Sequence, residues 1–175
     1  MSPLDLLANG FSRIPELFRG ATDGLGAELL ASAPTRGANS IAWLAWHTAR
    51  GQDSWTSDLD GSAELWITGG WHERFALPFE ARENGWGMAE KDTARVVAPA
   101  ALLVEYLEAV TANTLAYLDS LTEGDLDDIV DATRTPAISR GVQLLSTLDD
   151  ALQHAGQAGY ARGILERSRP NGCID

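Results

Sequence analysis

The chain is poor in the residues that most often carry protein chemistry: one cysteine, Cys173, one lysine, Lys91, and three histidines. A lone cysteine excludes an internal disulfide and any cysteine-based zinc motif. It follows Pro170-Asn171-Gly172 with no basic group near it in sequence to lower its pKa, and reads as a non-catalytic thiol in the tail. Long apolar runs are also missing, and no segment approaches the ~20 uninterrupted apolar residues that a membrane span needs. The opening residues, MSPLDLLANGFSR, carry Asp5 and no basic region ahead of an apolar run, so no secretory signal is expected. These absences together predict a cytoplasmic protein. Clusters of positive charge are absent too. The formal net charge is −12, whereas proteins that grip nucleic acid or anionic membrane need a basic footprint. Both are therefore excluded as expected partners.

Apolar residues make up 45% of the 175 positions, enough for one core and one domain spanning 1–175. Four long helical patterns account for most of the chain. Leu4, Leu7, Phe11, Ile14 and Phe18 draw the first apolar stripe, which Pro15 should kink or restart. Asn39-Ser40 supplies helix caps ahead of the second pattern, IAWLAWHTARGQDSW. The third follows Pro99 with Leu103, Tyr106, Val110, Asn113, Tyr117 and Leu121 at helical spacing. The fourth, from about Ser139 to Ser168, has Val142, Leu145, Leu148, Leu152, Ala155 and Gly159 on one stripe. No strand-like alternation persists over a useful length. The predicted fold is all-α: a four-helix bundle, up-down, with a long crossover between the second and third helices. That crossover, residues 59–90, is rich in glycine and tryptophan and is expected to cover one end of the bundle, with a short helix over Asp92 to Val97.

The histidines narrow the search for chemistry to His47, His72 and His154. Asp150 precedes His154 by four residues, which stacks the two side chains on one helix face. Such a pair can share a metal ion with a residue from a facing helix, and His47 is the candidate. His47 follows a run that is apolar all round, so its imidazole is expected to be buried and to need either a hydrogen bond or a metal. The sequence leaves both readings open. It also leaves open whether Asp150 and His154, opposite the Leu145/Leu152 stripe, line a polar pocket or an ordinary solvated face. His72, in GGWHERFALP, is either a substrate-side acid or base or a surface loop histidine. Gly24-Leu25-Gly26 lacks the strand that a dinucleotide fingerprint requires, and no G-x-S-x-G elbow occurs.

The segments NSIAWLAWHTARGQD, TGGWHERFALPF and LDDALQHAGQAGYARGIL, in that order, resemble the DinB-like superfamily. Within it they look most like the actinobacterial branch related to mycothiol-dependent transferases and the maleylpyruvate isomerase metal-binding domain. The resemblance implies a four-helix bundle with a divalent ion at one end. The ion's usual ligands are a His on the second helix and an H-x-x-x-H pair on the fourth. These positions map onto His47, Asp150 and His154, with a carboxylate in place of one imidazole. That donor set suits zinc above all, and also nickel or iron. The resemblance further implies a mycothiol-like thiol as cosubstrate, an electrophilic small molecule as its partner, and a homodimer as an available assembly. On this reading His72 and Arg74 act in catalysis and Trp71 binds the cosubstrate. Met88 stands where relatives often carry a His after the Gly85-Trp86-Gly87 turn. Two alternatives accompany the transferase: a non-catalytic metal- or ligand-binding dimeric helical domain, and a metal-dependent hydrolase using Asp53 or His72 as base.

Overall fold

The computed structural model describes residues 1–168; Cys173 lies outside them. The chain folds as a mostly helical protein. Helix α1 (Pro3–Ser12) opens on a capping box in which Ser2 and Asp5 exchange side chain and backbone hydrogen bonds. Helix α2 (Ile14–Thr22) follows after one intervening residue, Arg13. Pro15 is the reason for the break, because it has no N–H to continue the ladder and is at home in a first turn. The short α3 (Ala27–Leu30) leads to α4 (Ile41–Asp60), whose Ser40 cap accepts from the Trp43 N–H. Helix α4 closes at Gly61, which takes the left-handed conformation with φ 74°. Helices α5 (Leu65–Thr68), α6 (Trp71–Phe75) and α7 (Glu90–Thr93) punctuate the crossover. The last is shorter and earlier than the Asp92–Val97 helix expected from sequence.

Helix α8 (Ala100–Asp119) begins after Pro99, and α9 (Arg140–Ser168) ends the described chain. Between them lies a small antiparallel hairpin that the sequence patterns do not reveal. It pairs β1 (Ile129–Asp131) with β2 (Ile138–Ser139), matching Ile129 to Ser139 and Asp131 to Ile138. Arg140 holds this hairpin to the helices, donating to the Leu59 and Asp125 carbonyls, the Tyr117 hydroxyl and the Asp128 carboxylate.

Helix α4 packs on α8 and α9, and α1 and α2 pack against the same two helices. The shared core joins Phe11, Ile14 and Phe18 to Ile41, Leu44 and Trp46, to Leu103, Tyr106, Leu107 and Val110, and to Leu144 and Ala158. Each large apolar side chain buried here contributes roughly 1.5–3 kcal/mol.

Helix α9 presents a different face from the one its hydropathy suggests. Val142, Leu145 and Leu152 are exposed, while Leu144, Thr147, Leu148, Ala151, Ala155, Ala158, Ala161 and Leu165 are buried. The helix is rotated so that its small residues meet its neighbours. Alanine lets helix axes approach closely, and close approach gains contacts along the whole length of α9. The contact with α1 is similarly tight: a Cβ on Gly10 would lie 2.5 Å from a Leu148 methyl. This rotation corrects the expected Val142/Leu145/Leu152 core stripe. It also moves Asp150 and His154 from the far side of α9 to the margin of its buried face.

Candidate metal centre

Helix α4 carries His47 into the interior and α9 brings Asp150 and His154 to it. One ligand atom from each of the three residues lies within 4.8 Å of the other two. The imidazole rings of His47 and His154 meet edge to face with centroids 5.2 Å apart. His154 Nε2 is 3.5 Å from the Asp150 carboxylate. Asp149, the other acid at this turn, is engaged instead with Gln153 on the exposed side of α9. The structure therefore brings together the three residues that spacing and scarcity single out in the sequence, and such a cluster can bind a divalent metal.

Each imidazole is fixed through its other nitrogen. His47 Nδ1 lies 2.5 Å from the Asn84 carbonyl oxygen. A carbonyl only accepts, so Nδ1 carries the proton and Nε2 keeps its lone pair. His154 Nδ1 is 2.9 Å from Gln157 Oε1, which leaves its Nε2 for Asp150 and any shared ion. Metal-binding histidines are held in the same way, by an acceptor on the nitrogen that does not coordinate. Burial lowers the His47 pKa. The Asn84 hydrogen bond and the Asp150 and Glu83 charges oppose that shift, while His154 reinforces it. A neutral imidazole is the form that can ligate. Two imidazole nitrogens and one carboxylate oxygen form a donor set that can hold a divalent metal. The Asp150 side chain is 51% exposed and that of His154 15%, so the cluster is open to solvent on the α9 side.

Aromatic rings wall the inner side. Trp43 stacks on His47 at a centroid distance of 4.5 Å and an interplanar angle of 20°, and presents its edge to His154 at 6.0 Å. Gly85 completes the wall. Its φ is +93°, and a Cβ there would fall 2.8 Å from His47 Nδ1 and 3.2 Å from both Trp43 and Trp46. Only glycine satisfies both the backbone and the space. Gly85→Ala is therefore expected to cost about 1–3 kcal/mol of stability and to weaken divalent-metal binding by pushing the His47 ring off Asn84. Urea unfolding combined with a zinc titration measures both effects; an alanine variant matching wild type in each would contradict this account.

The crossover residues make a separate cluster. Trp71 is buried against Tyr106, with ring centroids 5.2 Å apart, and the Arg74 guanidinium lies 4.1 Å over it. Arg74 also pairs with Glu105 at 2.5 Å. His72 presents an edge to Trp66 at 5.7 Å and stands 4.0 Å from Glu73. Trp71, His72 and Arg74 thus make their contacts with α5, α8 and one another, and the metal triad is built without them. Asp53, considered above as a base, is fully buried. Its two oxygens accept from the Leu65 and Trp66 amides, at 2.9 and 2.7 Å, and from the Tyr106 hydroxyl at 2.7 Å. Burial pushes the Asp53 carboxyl up; the three donors and Arg50 pull it back. An acid so occupied holds the start of α5 in place of a cap and is closed to a substrate. The Asn84 carbonyl and the Arg50 side chain are the features that sequence reasoning missed. A backbone acceptor has no residue-type signature, although the buried arginine three residues after His47 was visible.

No curated protein matches the chain. Among solved structures, the conserved protein of a locus from Enterococcus faecalis superposes with a TM-score of 0.90 at 35% sequence identity, over 96% of this chain and 99% of that one. The family model of the DinB superfamily matches residues 11–158, which take in all three candidate ligands. With most of its length covered by that match, the chain belongs to the DinB superfamily.

Proposed function

We propose that this protein is a metal-dependent transferase built on an up-down four-helix bundle, using zinc held by His47, Asp150 and His154 to activate a low-molecular-weight, mycothiol-like thiol. The observation that carries this reading is the convergence of the three ligand atoms within 4.8 Å, on a side of the molecule where Asp150 remains half exposed. A divalent ion in that donor set supplies the positive charge that keeps a thiol ionised near neutral pH. The chain's own residues do the rest. Burial keeps His47 neutral, Asn84 and Gln157 fix the two ring orientations, and the Trp43 face excludes water from the inner side. In the transfer itself the sulfur bonds an electrophilic carbon, the leaving group departs with its electron pair, and the thiol proton passes to solvent. The cluster offers three protein ligands where structural zinc sites have four, and this donor count favours an enzyme over a closed staple.

The test is a transfer assay with a small thiol and a reactive haloaromatic, comparing zinc-loaded wild type with Asp150→Ala. A wild-type rate above both the uncatalysed reaction and the variant supports the reading; equal rates in wild type and variant end it.

A dependence on pH follows from His47. Its pKa in the folded protein lies below the ordinary 6.5, so below that pH the unfolded chain binds protons more readily than the folded one. The contribution of His47 to stability is thus complete above about 6.5 and is lost as pH falls. Zinc affinity should decline in the same direction, by up to about tenfold per pH unit for each imidazole that must shed a proton. Zinc titrations from pH 8 to pH 5 check this; an affinity flat over that range would mean that the histidines are not ligands.

A further inference from the structure

The Arg50 guanidinium, on α4 one turn beyond His47, is a buried charge excluded from solvent. A cation there is costly to bury unless every hydrogen it offers has a partner. Its Nη1 lies 2.6 Å from Glu64 and 3.8 Å from Asp53, and its face rests over the Trp66 ring at 4.9 Å. Its Nε–H has a different target, donating at 3.3 Å to the carbonyl of Glu83. The next carbonyl along the chain, that of Asn84, accepts from His47 Nδ1. The Glu83 side chain turns back to accept from the Gly85 N–H at 2.8 Å, which stiffens the same turn.

We propose that Arg50 is the positioning residue of the metal centre: clamped by Glu64 and Asp53, it anchors the Glu83–Gly85 turn so that the Asn84 carbonyl holds the His47 imidazole with Nε2 toward the ion. The inference rests on the metal-site reading given above and adds a residue that touches no ligand atom itself. It also accounts for the Glu64 end of the crossover, whose carboxylate takes Nη1 while Nε is left to Glu83. Lysine cannot substitute, because a single ammonium lacks the planar fork that reaches a carboxylate and a carbonyl in two directions at once. Arg50 and His47 lie on one rigid helix, so the device fixes the crossover relative to α4 and needs no moving part.

The experiment compares wild type with Arg50→Lys by long-range ¹H–¹⁵N NMR of the His47 ring in metal-free protein at pH 8, where an unperturbed imidazole is neutral. Zinc affinity is measured in parallel. In wild type the ring should show one tautomer, protonated at Nδ1. In the folded lysine variant it should show a mixture, with zinc affinity reduced about 10- to 100-fold, as for loss of an outer-shell partner. A folded variant with the wild-type tautomer and wild-type affinity overturns the proposal. Should Arg50→Lys fail to fold, Glu64→Gln serves, since that side chain is 30% exposed and keeps its size. A partial shift of the same kind in Glu64→Gln supports the proposal, and an unchanged His47 spectrum overturns it. Refusal of zinc by the wild type would sink the metal reading alone. The tautomer comparison needs no metal and decides the role of Arg50 by itself.

Discussion

His154→Ala should yield a folded protein that has lost the proposed divalent-metal site. His154 sits at the margin of α9, where its ring meets the Trp43 edge and His47 and its side chain is still 15% exposed. Truncation removes some packing, worth about 1 kcal/mol, as for other partly exposed positions. The loss to the metal is far larger. Only His47 and Asp150 would remain, on two different helices, and no other His, Cys, Asp or Glu among the described residues is grouped with them as a candidate ligand. Removing an outer-shell partner alone typically costs 10- to 100-fold in affinity, so losing a direct ligand should cost at least about 100-fold. Elemental analysis after dialysis against a weak chelator is the measurement. About one zinc per chain is expected in wild type and almost none in the variant, with matching circular dichroism and unfolding curves. Gln153→Ala, one position away and paired with Asp149 on the exposed side, should keep the metal. A His154→Ala protein that holds zinc as wild type does would show that the three side chains are neighbours without being a site.

The second large effect concerns stability. Asp53→Ala should destabilise the fold by about 3–5 kcal/mol, a size otherwise seen when a buried ion pair loses one member. The carboxylate receives three hydrogen bonds, from the Leu65 and Trp66 amides and the Tyr106 hydroxyl, and stands 3.8 Å from Arg50. Alanine would leave three donors without an acceptor, each costing roughly 1–3 kcal/mol when buried. Arg50 would keep only Glu64. For a domain of this size the change corresponds to a fall in Tm of about 10 °C. Asp53→Asn should be milder, because an amide keeps one acceptor oxygen while its NH₂ faces a donor. Thermal and urea unfolding of both variants give the comparison. A loss below about 1 kcal/mol in the alanine variant would mean that the crossover is held to α4 by its aromatic contacts and not by Asp53.

Much of the helical framework can be read from local signals. Ser40 starts α4 because its hydroxyl meets an amide that the helix itself cannot satisfy, and Pro15 divides α1 from α2 because it has no N–H to give. Pro99 before α8 works by the same local logic. The candidate ligands were legible for a different reason. With three histidines in the chain and an Asp four residues before one of them, few combinations exist. The spacing guarantees that Asp150 and His154 share a face, wherever that face points.

Where it points was decided by packing. Period alone allows α9 to bury either Val142, Leu145 and Leu152 or the small set led by Ala151, Ala155 and Ala158. Hydropathy favours the first and the structure takes the second. Hydropathy scores each side chain separately, whereas burial rewards the shape that lets two helices approach, and only an assembled neighbour supplies that shape. The setting of His47 is a case of the same kind, since its orientation depends on the Asn84 carbonyl 37 residues away and on the Arg50 clamp behind it. Any residue type could have offered that carbonyl equally well, which is why no residue letter announces it. The sequence determined which long helices form and which few side chains could ligate an ion. Tertiary structure decided which face of α9 turns inward and how the His47 ring is held, because both depend on distances between parts of the chain that local propensity does not relate.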